Sequence, residues 1–234
     1  FYAFGFFIVF KLIGFIYAYY DKEFVRIILG DEYVNKTIEN IEKGNAVGVY
    51  QQGSNWGTSI AIIFNNLKLG AVLFIYGVFG GVVTLYAFLQ NSIMLGSFQY
   101  FFHEHGALKE SASGIWLHGV FEIFSMVVEA MAGLILGASI LFPKTYSRFN
   151  SFKLGFKDSF KIFLSTVPFT IVAGIIEGYV TRYALVMPGI INILLIFGTL
   201  SLIGFYYLIY PYLVAKNTKI HDAVLSEKGL RNLH

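Results

Sequence analysis

Two uncharged runs constrain this chain more than anything else in it. Leu69 to Phe102 and Tyr183 to Ala215 contain no Asp, Glu, Lys, Arg or His, and each exceeds the roughly 20 apolar residues that carry a helix across a bilayer. Charged residues make up only 13% of the 234 residues, against about 25% in an ordinary soluble domain, and they gather in a few short intervals. That excludes a water-soluble globule and reads as a polytopic membrane protein. The runs do not alternate apolar and polar residues as the strands of a transmembrane barrel must. The expected fold is therefore all-α, a transmembrane helix bundle forming a single membrane domain over residues 1–234. The absence of cysteine excludes disulfides, iron–sulfur clusters, thiolate zinc sites and a Cys nucleophile. Phe1 stands already inside an apolar segment, so an upstream portion is expected, and Phe1–Tyr20 lacks the basic flank and cleavage site of a signal peptide.

The apolar segments are Phe1–Tyr20, Leu69–Leu89, Ser92–Phe102, Ile115–Leu141, Ile162–Tyr179 and Gly189–Tyr210, the last lying between Pro188 and Pro211 at its expected ends. Charge asymmetry sets their number, because cytoplasmic loops carry an excess of Lys and Arg. The loop 142–161 holds Lys144, Arg148, Lys153, Lys157 and Lys161 against Asp158, and the tail 214–234 holds Lys216, Lys219, Lys228 and Arg231 against Asp222 and Glu227. The segment 21–66 is acidic, with Asp21, Glu23, Asp31, Glu32, Glu39 and Glu42 against Lys22, Arg26, Lys36 and Lys43. If Ser92–Phe102 crosses, there are about six membrane segments, the acidic segment is extracytoplasmic, and the basic loop and tail are cytoplasmic. The competing arrangement makes Ser92–Phe102 a re-entrant half-helix. Within 21–66, Val34, Ile38 and Ile41 fall on one face of an amphipathic helix, and Gly44–Gly57, with Tyr50 and Trp56 nearby, leads along the interface to the membrane.

The sharpest chemical signal lies on the Ile115–Leu141 helix. His118, Glu122, Ser125 and Glu129 are spaced by 4, 3 and 4 residues and so share one face. Ionisable groups inside a bilayer cost a few kcal/mol each and normally face a bundle interior or a cavity. Glu177, near the end of the Ile162–Tyr179 helix, adds a third acid, and Lys11, Arg182 and His118 are the candidate cations. Such a polar core would hold helices together by buried hydrogen bonds, form a proton or cation path, or receive a partner helix. His118 and Glu122 at i, i+4 would also suit two metal ligands, with Glu129 or Glu177 completing a shell. No HExxH pattern accompanies them, and neither a metal nor any other cofactor is expected.

The glycine pairs Gly77/Gly81, Gly133/Gly137 and Gly174/Gly178 have the small-xxx-small spacing that lets helix backbones approach. Pro168 should kink its helix and free a carbonyl near Thr166 and Thr170. Asn65, Asn66 and Asn91 bracket the long uncharged run as helix caps. Tyrosines and phenylalanines cluster at the apparent membrane edges as interfacial belts. No phosphate-binding loop, dinucleotide fingerprint, Gly-x-Ser-x-Gly or nucleic-acid face is present, so no nucleic-acid partner and no catalytic residues are expected.

In combination, Asn65-Asn66, Gly77 with Gly80-Gly81, Asn91-Ser92-Ile93-Met94-Leu95-Gly96, His118-Gly119-x-x-Glu122, Gly133-x-x-x-Gly137 and Glu177-Gly178-Tyr179-Val180-Thr181 resemble the stage II sporulation protein M family over about Ala61 to Tyr212. Many members carry Gly where Ser92 stands. The look is that of versions from non-sporulating bacteria. In spore formers the resemblance implies a membrane component that anchors peptidoglycan-remodelling proteins without catalysis of its own. The expectation is a non-enzymatic scaffold or partner-binding subunit of a cell-envelope assembly in the bacterial cytoplasmic membrane. Its partners would be the lipid bilayer, other membrane or envelope proteins and further copies of itself, and its C-terminus would be cytoplasmic. A channel or transporter subunit is the alternative, and an intramembrane metallohydrolase the third reading.

Overall fold

The computed structural model describes residues 2–46, 48, 54–184 and 186–227. Phe1, Tyr50, Lys228 and Arg231 therefore lie outside the described residues, as does most of the run leading up to Ser54. Every regular element described is helical. They are α1 (Tyr2–Tyr20), α2 (Lys22–Leu29), α3 (Asp31–Glu42), α4 (Asn55–Ile75, extended by a 3-10 turn Tyr76–Phe79), α5 (Val82–Glu104), α6 (Leu108–Leu141), α7 (Arg148–Ile175, continued by a π turn Ile176–Val180 and a 3-10 turn Thr181–Tyr183), α8 (Gly189–Gly204, with a π turn Phe205–Ile209) and α9 (Tyr210–Glu227). Five of the helical runs, Tyr2–Tyr20, Asn55–Phe79, Leu108–Leu141, Arg148–Tyr183 and Gly189–Thr218, are long and apolar enough to cross a membrane.

α5 supplies the sixth membrane-length segment. It is one continuous helix of 23 residues, about 34 Å long at 1.5 Å per residue, which is too long for a half-helix. Three of its polar residues turn to helix backbone: Asn91 Nδ2 donates to the Ala87 carbonyl (2.8 Å), Ser92 Oγ to that of Phe88 (2.7 Å), and Ser97 Oγ to those of Ile93 (3.1 Å) and Gly14 (3.2 Å). Side chains satisfied in this way are tolerated at membrane depth.

The uncharged run Leu69–Phe102 therefore holds a reversal that its composition hides. The segment expected as Leu69–Leu89 is the end of α4 and the start of α5, joined at Gly80 and Gly81. Both glycines are left-handed, with φ of 69° and 79°, a conformation that costs other residues steric strain. Asn65, Asn66 and Asn91 consequently sit inside helices and cap nothing. The basic stretch 142–161 is helical from Arg148 onward, with the Ser147 hydroxyl accepting from the Asn150 amide as an N-cap. Pro211 does not end its helix: the π turn Phe205–Ile209 precedes it, and the chain stays helical to Glu227.

Contacts along the helices give their directions. Phe7 meets Phe88, Gly14 meets Ile93, and Phe15 meets Tyr100, so α1 and α5 run parallel. Gly70 meets Glu129 and Gly77 meets Gly133, so α4 and α6 also run parallel. α7 runs against α6, with Phe121 on Phe169 and Ser139 on Ser151. These directions place the α2–α3 segment and the α6 N-terminus at one end of the bundle, and the Gly80-Gly81 turn, the 142–147 loop and α9 at the other. α6 is the central helix, with 56% of its most apolar stretch buried against 6% for that of α8.

Val34 is buried as the amphipathic pattern requires, and Ile38 and Ile41 pack beside it. α2 precedes α3 in the same segment. It is capped by Asp21, whose side chain accepts from the Glu23 amide, and it adds Val25 to a core with Ala18, Tyr100, Phe101 and Phe102. The two short helices form a cap over one end of α1, α5 and α6.

Candidate functional site

The polar stripe of α6 divides into two groups. Near the cap end, His118 is almost fully buried. Its Nδ1 lies 3.0 Å from Thr181 Oγ1 on the last turn of α7, and its Nε2 faces Glu177 Oε1 at 3.9 Å. One turn further along α6, Glu122 Oε1 accepts a short hydrogen bond from Asn66 Nδ2 of α4, and the Glu122 and Glu177 carboxyls lie within hydrogen-bonding reach of each other. One ligand atom from each of His118, Glu122 and Glu177 falls within 4.8 Å of the others. Glu177 lies in the π turn of α7, and π turns recur at functional sites.

Two cavities adjoin this group. One of about 310 Å³ is lined by His118, Glu122 and Glu177 from below and by Ile28, Leu29 and Tyr33 of the cap. The other, about 130 Å³, lies deeper and is lined by Asn66, Asn91, Glu122, Ser125, Glu129 and Thr170. They share Glu122, Ile123, Met94 and Leu95. Ser125 is 2% exposed, and its hydroxyl has no hydrogen-bond partner among the described residues. Burial pushes the Tyr33 phenol up to about 12, so at neutral pH it remains a hydrogen-bond donor at the cap.

Glu129 forms the second group, two turns deeper than Glu122. Thr166 Oγ1 of α7 donates to Glu129 Oε1 at 2.9 Å, and Gly70 of α4 leaves the room its carboxyl occupies. Thr166 also donates to the Phe163 carbonyl (2.7 Å), and Thr170 to that of Thr166 (3.2 Å), so the hydroxyls around Pro168 serve helix backbone as well as Glu129.

Two expected members of the polar core lie elsewhere. Lys11 is half-buried over the rings of Phe7 and Trp116, 5.9 and 5.7 Å from their centroids, in the cation–π geometry that suits an ammonium group in apolar surroundings. Arg182 Nε donates to the Gly178 carbonyl (2.7 Å), and its Nη2 donates to Thr58 Oγ1 (3.2 Å), clamping the end of α7 to the start of α4. In its place Asn66, Thr166 and Thr181 enter the site. The signal for Asn66 was a pair of amides in a long apolar run, which reads equally as a helix cap.

Five of the six expected glycines mark close approaches, and a Cβ on the sixth, Gly81, would meet only ordinary contacts. A Cβ on Gly77 would strike the backbone of Gly133, one on Gly133 the Leu73 carbonyl and Thr84, one on Gly137 the Gly80-Gly81 turn, one on Gly174 Ile63, and one on Gly178 Ser59. Gly77 and Gly81 do not share a helix face, since Gly81 belongs to the turn. Gly14 and Gly96, which serve the α1–α5 contact, stand outside the expected pairs.

The sequence of this bundle matches a known family. The description SpoIIM, Stage II sporulation protein M, matches residues 3–182. The chain belongs to the stage II sporulation protein M family. The match reaches further toward the N-terminus than the Ala61–Tyr212 resemblance and stops at the end of α7. All of the clustered residues of this SpoIIM family member, with Asn66 and Thr181, fall inside it, while α8 and α9 fall outside. No curated protein and no solved structure matches the chain.

Proposed function

We propose that this multi-pass membrane protein is a non-enzymatic scaffold or partner-binding subunit of a cell-envelope assembly in a bacterial cytoplasmic membrane. The observation that carries the reading is the contrast between α8 and the rest of the bundle. Asn192, Thr199 and Ile203 are its buried residues, while Leu194 and Phe197 stand 65% and 62% exposed, leaving a broad apolar face for lipid, a partner helix or a second copy. The polar side chains of the interior meanwhile join helix to helix: Asn66 to Glu122, Thr166 to Glu129, His118 to Thr181. A body joined in this way, with α8 the least buried of its membrane-length helices, suits a platform, and membership of the family supports it.

The test exploits the absence of native cysteine. Leu194→Cys and Phe197→Cys, treated with a bis-maleimide in native membranes, are expected to form specific adducts with a second copy or another envelope protein, whose identity mass spectrometry supplies. Capture of only lipid-accessible monomer at both positions would sink the scaffold reading. The positive-inside bias orients the 142–147 loop and the C-terminus to the cytoplasm. Lys109→Cys should then label from outside intact cells and Ser147→Cys should not, and the reverse pattern would invert the topology.

The two acid-lined cavities that share Glu122 favour a second reading, a channel or transporter subunit. It requires that purified protein in liposomes move an ion or lipid, and that Glu122→Gln or Glu129→Gln abolish the movement.

A further inference from the structure

We propose that His118, Glu122 and Glu177 form a binding site for one divalent cation of the zinc class. Their geometry is the first ground. His118 Nε2 and Glu177 Oε1 stand 3.9 Å apart, longer than a hydrogen bond and shorter than twice a zinc–ligand bond of about 2.0–2.1 Å. A cation between them reaches both with little movement. Glu122 adds a second carboxylate within the same 4.8 Å group, and two carboxyls this close need a proton or a cation between them. One imidazole and two carboxylates make a nitrogen–oxygen set of the kind that zinc takes from protein.

The surroundings have the form of an outer ligand shell. A metal-bound histidine holds its other ring nitrogen on a hydrogen-bonding group that fixes the ring, and here Nδ1 is held by Thr181 Oγ1. In the tautomer in which Nδ1–H donates to the Thr181 oxygen, the Nε2 lone pair faces the acids. Asn66 orients Glu122 in the same manner. Three protein ligands leave a fourth position, and the cavity of about 310 Å³ that these side chains line offers space for a bound water. An independent sign of a polar occupant is Ser125, whose buried, unpartnered hydroxyl lines the adjoining cavity with Glu122. Glu129 takes no part, since it is tied to Thr166 two turns away.

The experiment uses the full chain, free of any histidine tag, in detergent. After stripping with a chelator, it is titrated with Zn²⁺, and bound metal is measured after dialysis. About one zinc per chain is expected, with Glu129→Gln retaining it and Glu177→Gln binding at least tenfold more weakly. Thr181→Val, which touches no ligand atom, should weaken binding by about 10–100-fold, the usual effect of losing an outer-shell partner. Because His118→Ala risks misfolding, Glu177→Gln carries the comparison, and its metal-free thermal unfolding confirms that it is folded. Co²⁺ in place of zinc should give the visible absorption of a four-coordinate centre in the parent chain and lose it in Glu177→Gln. Absence of stoichiometric zinc, equal binding by Glu177→Gln, or equal loss in Glu129→Gln would each overturn the site. Any of these results leaves the scaffold reading standing, because that reading rests on α8.

Discussion

The two ends of the α4–α6 contact are built on opposite principles. Toward the Gly80-Gly81 turn, Gly77 lies on Gly133 and Gly137 on the turn itself, backbone against backbone, with Thr84 Oγ1 donating to the Leu73 carbonyl at 2.9 Å. Toward the cap, the same two helices meet through Asn66 and Glu122, and two cavities open beside them. Lipid tails are as apolar as the helices, so association in a bilayer rests on close van der Waals packing and on polar bonds between helices. One end of this interface uses the first and the other uses the second. At this end a polar side chain reaches from one helix to the other, and the cavities beside it are both lined by the same acid, Glu122. The glycine end then acts as the fixed anchor from which the polar end is positioned.

The comparison is broken most severely at the anchor. Gly133→Leu forces a side chain against the Leu73 carbonyl and Thr84, and because both obstacles belong to packed helices the overpacking cost should reach about 3 kcal/mol or more. Thermal unfolding in detergent should show loss of the cooperative transition, whereas an unchanged midpoint would mean that the glycine end is not an anchor. Next in size is Asn66→Leu at the polar end, which leaves a buried Glu122 oxygen without its amide donor at about 1–3 kcal/mol. The bundle should stay folded with a lower midpoint, and zinc binding should weaken with it. Thr166→Val removes the hydroxyl donated to Glu129 and should cost about 0.6 kcal/mol, the average for a hydrogen bond between membrane helices. A larger loss would place Glu129 with Glu122 among the residues on which the fold depends.

The charge-free runs make the helical membrane fold legible in the sequence alone, and the 4, 3, 4 spacing does the same for the polar face of α6. Their arithmetic worked because a buried charge in lipid is costly enough to be placed deliberately. Reversals were harder to read. The α4–α5 turn needs only Gly80 and Gly81 and carries no charge, so it looks like the middle of a span; the glycine doublet was its one signal. The partners of the acids were also hidden, for a different reason. Lys11 and Arg182 are long, and where their charges settle depends on which rings and carbonyls tertiary packing brings near, here Phe7, Trp116 and Gly178. Glu177 reaches α6 from a π turn, and periodicity at 100° per residue does not announce a π turn.

The smallest expected effect sharpens the comparison at its hollow end. Ser125 is buried and its hydroxyl meets no donor or acceptor among the described residues, so Ser125→Ala removes a desolvated polar atom and sacrifices no bond to any of them. Replacing an unsatisfied polar group by an apolar one is neutral or stabilising, and in the chelator-stripped chain, whose cavity holds no metal-bound occupant, the unfolding midpoint should stay level or rise slightly. The same substitution at Ser97, whose hydroxyl ties α5 to the Gly14 carbonyl of α1, should lower it, which provides an internal reference for a serine that is bonded. If Ser125→Ala instead costs more than Ser97→Ala, the hydroxyl is bonded to something inside the cavity it shares with Glu122 and Glu129. The polar end of the interface would then be a filled site, held together by its occupant in the way the glycine end is held by its backbones.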